Sequence, residues 1–170
     1  RKSFLFKEQP IKVIPSALDI DFWSPIEKKK ARNLLDLPLN KKLILFGALG
    51  GTSDNRKGGD LLIEALYKLK RNIKQTSKTD IELVIFGQDK PKELLITDFK
   101  IHFPGKINQD QLLKLYYSAC DLFILPSRQD NLPGTGIESQ ACGTPVIAFD
   151  IGGLSDIVED QKTGILIKPF

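Results

Sequence analysis

"DLFILPSRQDNLPGTGIESQACGTPVIAFDIGG", residues 121–153, decides the fold. Asp121 to Ser127 opens with a continuous apolar run, as a strand buried on both faces requires. A loop with a Pro-Gly-Thr-Gly turn follows, and "GIESQAC" forms a short helix closed at Gly143 and stopped by Pro145. "PVIAF" is the next strand, and "DIGG" turns the chain at its end. Strand, helix, strand at this spacing predicts a parallel pair joined by a right-handed crossover.

The same alternation extends through the chain. "LILFGA", Leu43 to Ala48, and "IELVIFG", Ile81 to Gly87, are two further buried strands, and "IHFPG", Ile101 to Gly105, is a short third. A helix from about Asp60 to Ile73 carries Leu61, Leu62, Ala65, Leu66, Leu69 and Ile73 at helical spacing. Ile26 to Leu37 is a helix ending before Pro38. "NQDQLLKLYYSA" is another, with Asn108 as its cap and Gln111 completing a box. "GLSDIVED" gives a helical turn or two, and "ILIKP" a sixth strand. The predicted fold class is α/β, a Rossmann-like, doubly wound parallel sheet.

Ligands of such sheets bind beyond the C-terminal strand ends. Those loops are Gly47 to Gly59, Gly87 to Pro91, Gly105 to Ile107, Pro126 to Gly136 and Asp150 to Gly153. "GALGGTSDNRKGG" matches neither the dinucleotide fingerprint nor the P-loop, which disfavours a dehydrogenase. It still offers backbone donors at Gly50 and Gly51 and two cations, Arg56 and Lys57, ahead of a helix: a place for an oxyanion. Asp130 lies just beyond a strand end, and Glu138 is read in the first turn of the following helix, where a carboxylate gains roughly 0.3–1 kcal/mol. Between them, Gly134, Thr135 and Gly136 present backbone N–H groups at close range. Such a site takes a ligand that is anionic at one end and rich in hydroxyls elsewhere. A nucleoside diphosphate sugar has both properties, as do other nucleotide or phosphate ligands.

Composition narrows the classes. The hydrophobic fraction of 41% argues against disorder. No apolar run is long enough to span a bilayer, and no signal peptide is visible. The net charge of +4 comes from lysine clusters that read first as solvated faces, then as a face for an anionic ligand or membrane surface. Basic and aromatic residues do not interleave, so no nucleic acid partner is expected. One histidine, His102, and two cysteines, Cys120 and Cys142, without a CxxC do not make a metal site. The cysteines read as reduced core residues of a cytoplasmic protein, and Trp23 as linker packing. The chain opens with arginine and lacks methionine, so it is expected to be a piece of a longer protein.

Several segments together resemble the C-terminal domain of a family 4 retaining glycosyltransferase of the two-domain GT-B fold. "VIPSALDIDFWSP" resembles that family's interdomain segment, with Pro15-Ser16-Ala17 in place of Pro-Asn-Gly. "PGKINQDQLLKLYYSACDLFILPS" and "ESQACGTPVIAFDIGGLSDIVEDQKTGILI" resemble the segments around its active-site motif. The resemblance divides the chain into an interdomain segment, residues 1–25, and a donor-binding domain, residues 26–170. It implies transfer of a sugar from a UDP- or GDP-linked donor with retention of configuration, with no separate cofactor. The family's two acids fall on Asp130, toward the donor sugar, and Glu138, toward the ribose; the usual glutamate is an aspartate at 130. The family lysine falls on Lys57, whereas the arginine expected after the first strand is Ala48, leaving Arg56 to supply the second charge. Backbone groups near Gly105, Lys106 and Ile107 would hold the base. The acceptor, a glycan or lipid-linked molecule, would bind a further N-terminal domain, with peripheral contact at the inner membrane face. An epimerase of the same fold, or a nonenzymatic nucleotide-binding module, is the alternative.

Overall fold

The computed structural model describes residues 10, 12, 14–47, 54–72, 80–90 and 99–169. Among them, six strands form one sheet: β1 (Lys42–Gly47), β2 (Ile81–Phe86), β3 (Ile101–Gly105), β4 (Leu122–Leu125), β5 (Val146–Phe149) and β6 (Gly164–Ile167). Their order is β3-β2-β1-β4-β5-β6, and every neighbouring pair is parallel. The chain walks outward from β1 to β3, then restarts beside β1 with β4 and walks the other way. The Rossmann-like α/β class read from sequence is therefore the observed one, and its topological switch point lies between β1 and β4.

Side-chain alternation along β1 explains the two core layers. Leu43 and Leu45 point to one face, where they join Val84, Tyr117, Phe123, Val146 and Leu154. Phe46 points to the other, with Leu62, Leu66, Leu83, Ile85 and Phe99. Helix α2 (Gly59–Asn72) supplies Leu62 and Leu66 to the second layer. Helices α1 (Lys28–Leu34), α3 (Asp110–Ala119) and α5 (Leu154–Ile157) supply Ala31, Tyr117 and Leu154 to the first. A fully buried side chain such as Leu43 or Phe123 contributes roughly 1.5–3 kcal/mol. Cys120 and Cys142 are buried free thiols, and burial raises the pKa of both, that of Cys142 to about 11. No helix among the described residues is long and apolar enough to cross a membrane.

Several element ends differ from the sequence reading. Helix α1 is shorter than Ile26 to Leu37, because the Glu27 carboxylate caps the amides of Lys29 and Lys30, and Asp36 takes a left-handed φ of 52°. Helix α3 is not capped by Asn108, and no box with Gln111 forms. Its N-cap is Gln109, whose carbonyl accepts from Leu112 and Leu113. Ala48, the last residue of the expected first strand, and Ile73, the last of the expected second helix, lie outside the described residues.

Trp23 is a core residue, 5.9 Å from the Tyr117 ring. Its neighbours ride on α3: Lys114 Nζ donates to the Phe22 carbonyl and Ser24 Oγ, and the Ile26 amide donates to Ser118 Oγ. At the N-terminal edge of the sheet, the buried Arg32 guanidinium donates to the Ala119, Pro38, Leu39 and Lys41 carbonyls and to Asp121 Oδ2 at 2.7 Å. His102, on edge strand β3, pairs Nε2 with Glu82 Oε2 at 2.6 Å.

Candidate functional site

At the C-terminal strand ends, the chain after β1 meets the loop after β4. A single 3-10 turn, Asn55–Lys57, is capped by Asp54, whose Oδ1 accepts from the Arg56 amide. Gly58 follows with φ 68°, and a Cβ there would stand 1.9 Å from the Pro126 carbonyl oxygen. Only glycine satisfies both the left-handed backbone and that approach. Arg128, in the loop after β4, fastens the turn. Its amide donates to the Arg56 carbonyl at 2.8 Å, and its guanidinium to Asn55 and, with two nitrogens, to Asp60 at 2.7 and 2.5 Å. The Arg128 hydrogen bond lowers the Asp60 pKa, and Asp60 raises that of Arg128.

This seat carries Lys57 to Asp130, Nζ to Oδ2 at 2.7 Å. The same Oδ2 accepts from Ser127 Oγ at 3.3 Å, and Oδ1 accepts from the Asn131 amide at 3.0 Å. The "DIGG" turn backs this loop. A Cβ at Gly153 would lie 1.5 Å from the Asn131 carbonyl oxygen, so the two backbones are in direct contact.

Helix α4 (Gly134–Ala141) begins at the other end of the loop. Pro133 is its N-cap and gives no side-chain bond, so Gly134 and Thr135 carry the open amides of its first turn. The Gly136 amide is not one of them: it donates to the Pro133 carbonyl, and the absent side chain at 136 lets the helix pack on Leu125. Because α4 starts at Gly134, Glu138 is in its second turn, not its first as read from sequence. Its carboxylate still reaches back, since helical side chains lean toward the N-terminus; a Cβ at Gly134 would be 3.2 Å from Glu138 Oε1. The Tyr117 hydroxyl donates to Oε2 at 2.8 Å. Burial raises the Glu138 pKa, and the Tyr117 bond opposes it only in part.

Between these elements lies a cavity of about 340 Å³, walled by Gly47, Arg56, Lys57, Ser127, Gly134 and Thr135 among others. That is within the range of small-molecule sites. Of the expected site residues, Lys57, Gly134 and Thr135 line this cavity; Asp130 and Glu138 do not, Asp130 standing behind Lys57 as its ion-pair partner and Glu138 lying against Gly134. Arg56 reaches the wall, but its guanidinium is held by Asp54 at 2.8 Å, and its side chain is 71% exposed. Lys106 is exposed and Ile107 packs on the core after β3, two strands from β1. Gly50 and Gly51 lie outside the described residues. A wider cleft of about 840 Å³ lies beyond Asn131 and Leu132, bounded by Ile14, Ser16, Gly153 and Asp156. Sequence reasoning did not single out Tyr117, Ser127 or Arg128. A tyrosine within an apolar helix that must place its hydroxyl somewhere was the signal available for the first.

The family described as "Glycosyl transferases group 1" matches residues 40–170. The D-inositol 3-phosphate glycosyltransferase of Gordonia bronchialis is 33% identical over 92% of this chain and 36% of its own length. That of Segniliparus rotundus is 30% identical over 95% of this chain and 36% of its own. The chain therefore spans little more than a third of these curated relatives. Sucrose-phosphate synthase from Thermosynechococcus elongatus is similar in structure, with TM-score 0.74 and 28% identity, over 93% of this chain and 39% of that one. HepE of Anabaena, solved in complex with UDP, gives TM-score 0.69 and 25% identity over 93% and 43%.

Proposed function

The chain belongs to the glycosyl transferases group 1 family, and from that premise we propose that it is the donor-binding, C-terminal half of a retaining family 4 glycosyltransferase with the two-domain GT-B fold. The full protein moves a hexosyl group from a nucleoside diphosphate sugar to a glycan or lipid-linked acceptor. Residues 1–25 connect the halves, residues 26–170 hold the donor, and the acceptor binds the other half. The observation that carries this reading is a cation and the first helix residues on one cavity wall at the switch point, with Asp130 paired to that cation and Glu138 against Gly134.

Each group has a part. The donor's C1–O bond breaks, and its electron pair leaves with the diphosphate. The acceptor oxygen bonds to C1 from the same face and passes its proton to the departing phosphate oxygen. Negative charge grows on that phosphate, where the Lys57 ammonium and the Gly134 and Thr135 amides meet it. Arg56 adds to the field from the cavity wall. The ionised Glu138 accepts from the ribose hydroxyls, and Asp130 from those of the transferred sugar. The base lies toward Lys106 and Ile107. The UDP complex of HepE supports uracil as the first base to try. The net charge of +4 suits contact with an anionic membrane face.

Titration calorimetry against UDP, GDP, ADP and NAD tests this reading. One diphosphate is expected to bind, with Lys57→Ala and Glu138→Ala each weakening it about tenfold, or about 1.4 kcal/mol. Binding of NAD alone, or affinities indifferent to both substitutions, would overturn it.

A further inference from the structure

Lys57 lines the cavity and pairs with Asp130 at 2.7 Å, so a phosphate that binds Lys57 competes with Asp130 for its ammonium. The pair is not a screened surface contact: the side chains are 27% and 14% exposed. Among the described residues, the other donors on Asp130 are the Ser127 hydroxyl and the Asn131 amide, both neutral. A carboxylate that loses Lys57 therefore loses its nearest charge partner and stays partly desolvated.

Building on the donor-site reading, we propose that Asp130 is a specificity-determining residue that discriminates against a bare nucleoside diphosphate in favour of the intact sugar nucleotide. A bare diphosphate ends in an unesterified phosphate. It carries more negative charge there than the sugar ester and has no hydroxyl donor to offer Asp130, so it takes the cation and leaves two anions facing each other. The sugar nucleotide carries less charge at that phosphate, and its sugar brings hydroxyl donors that replace Lys57 on Asp130. The carboxylate thus works against the spent nucleotide once the sugar has gone, and it favours release of that product and entry of a fresh donor. The shorter aspartate suits this role, because at this position it already reaches Lys57 with a bond of 2.7 Å.

The test is a set of dissociation constants for the 170-residue chain, wild type and variants, with UDP and UDP-glucose, GDP and GDP-mannose, and ADP and ADP-glucose. Asp130→Asn keeps the shape and removes the charge. It is expected to tighten the bare diphosphate about tenfold while the sugar nucleotide gains less or weakens, so the ratio of the two constants moves toward the diphosphate. Lys57→Ala combined with Asp130→Asn is expected to abolish the gain. Asp130→Ser serves as the second variant if circular dichroism shows that the asparagine variant does not fold. Wild-type binding of a diphosphate with equal or weaker binding by the Asp130 variants would overturn the inference and leave the donor site standing. No diphosphate binding by any of the proteins would overturn both.

Discussion

The Tyr117 hydroxyl donates to Glu138 Oε2 across 2.8 Å, from a side chain with no solvent exposure. Its ring lies 5.9 Å from Trp23, 6.2 Å from Phe86 and 5.8 Å from Phe123. Burial holds the phenol far above its ordinary pKa, so it is a donor to Glu138 at neutral pH. A site carboxylate is thereby anchored to the centre of the core, and its ionisation links the site to stability.

Removing that donor in Tyr117→Phe should cost about 1 kcal/mol of stability and raise the Glu138 pKa further. Burial already raises it above 4.5, so the folded state holds this proton more tightly than the unfolded chain does. The contribution to stability is therefore fully present below 4.5 and is lost as pH rises through the folded value. Binding should run the other way, because the proposed donor site has the ribose hydroxyls held by the ionised acid. Diphosphate affinity measured against pH should fall on the acid side in the wild type and start to fall at higher pH in Tyr117→Phe. Coincident profiles would remove Glu138 from the site.

Asp121 behaves in the opposite sense. Burial alone would raise it, but the Leu43 amide and the Lys28 and Arg32 charges bring its pKa below 3.8. Its contribution is present above 3.8 and lost as pH falls through the folded value. Asp121→Ala leaves Arg32, 4% exposed, without its carboxylate and the Leu43 amide without that acceptor. Urea unfolding should show a loss of about 3 kcal/mol. A loss below about 1 kcal/mol would mean that the carbonyls around Arg32 suffice.

Much of this was legible beforehand, and the exceptions have physical causes. Continuous apolar runs identified the four central strands, because a parallel sheet covers both of their faces, whereas the edge strands β3 and β6 are only partly buried and were marked by their glycine and proline ends. Asp130, Lys57 and the helix amides were legible because they follow strand ends. Helix starts were not. Asn108 and Gln111 form a plausible box in sequence, but the helix takes Gln109 as its cap. Glu138 was set one turn too early because α4 starts at Gly134, directly after its N-cap Pro133 and two residues ahead of the expected start at Gly136. Arg128 was unreadable because its partners, Asn55 and Asp60, are remote in sequence and become neighbours only across the switch point.

Two glycine substitutions should behave differently. At Gly136 an added Cβ meets Leu125 Cδ1 at 2.9 Å, the far end of a flexible side chain. A helix-propensity gain of about 1 kcal/mol roughly offsets about 1 kcal/mol of crowding, so Gly136→Ala should melt close to wild type. At Gly153 the Cβ meets the Asn131 carbonyl oxygen at 1.5 Å. The Asp130 loop must then move, and Gly153→Ala should lose more than about 2 kcal/mol and most diphosphate binding. Equal behaviour of the two variants in thermal melts and titrations would contradict the backing role of the "DIGG" turn.

Arg128 should act through Lys57 rather than by touching the ligand. Arg128→Ala is expected to weaken diphosphate binding roughly fivefold and to add little in a Lys57→Ala background, since the two share one turn. Arg128→Lys keeps the charge but loses the two-nitrogen grip on Asp60, so it should restore only part of the affinity. Additive losses in the double variant would assign Arg128 an independent contact.

The crevice between β1 and β4 is tested most directly by amide chemical shifts of the labelled chain as UDP, and then GDP, is added. The largest shifts are expected at Lys57, Asn131, Gly134 and Thr135, with β6 little changed. Saturable shifts confined to residues far from that crevice, or none with either nucleotide, would contradict the assignment of the donor site.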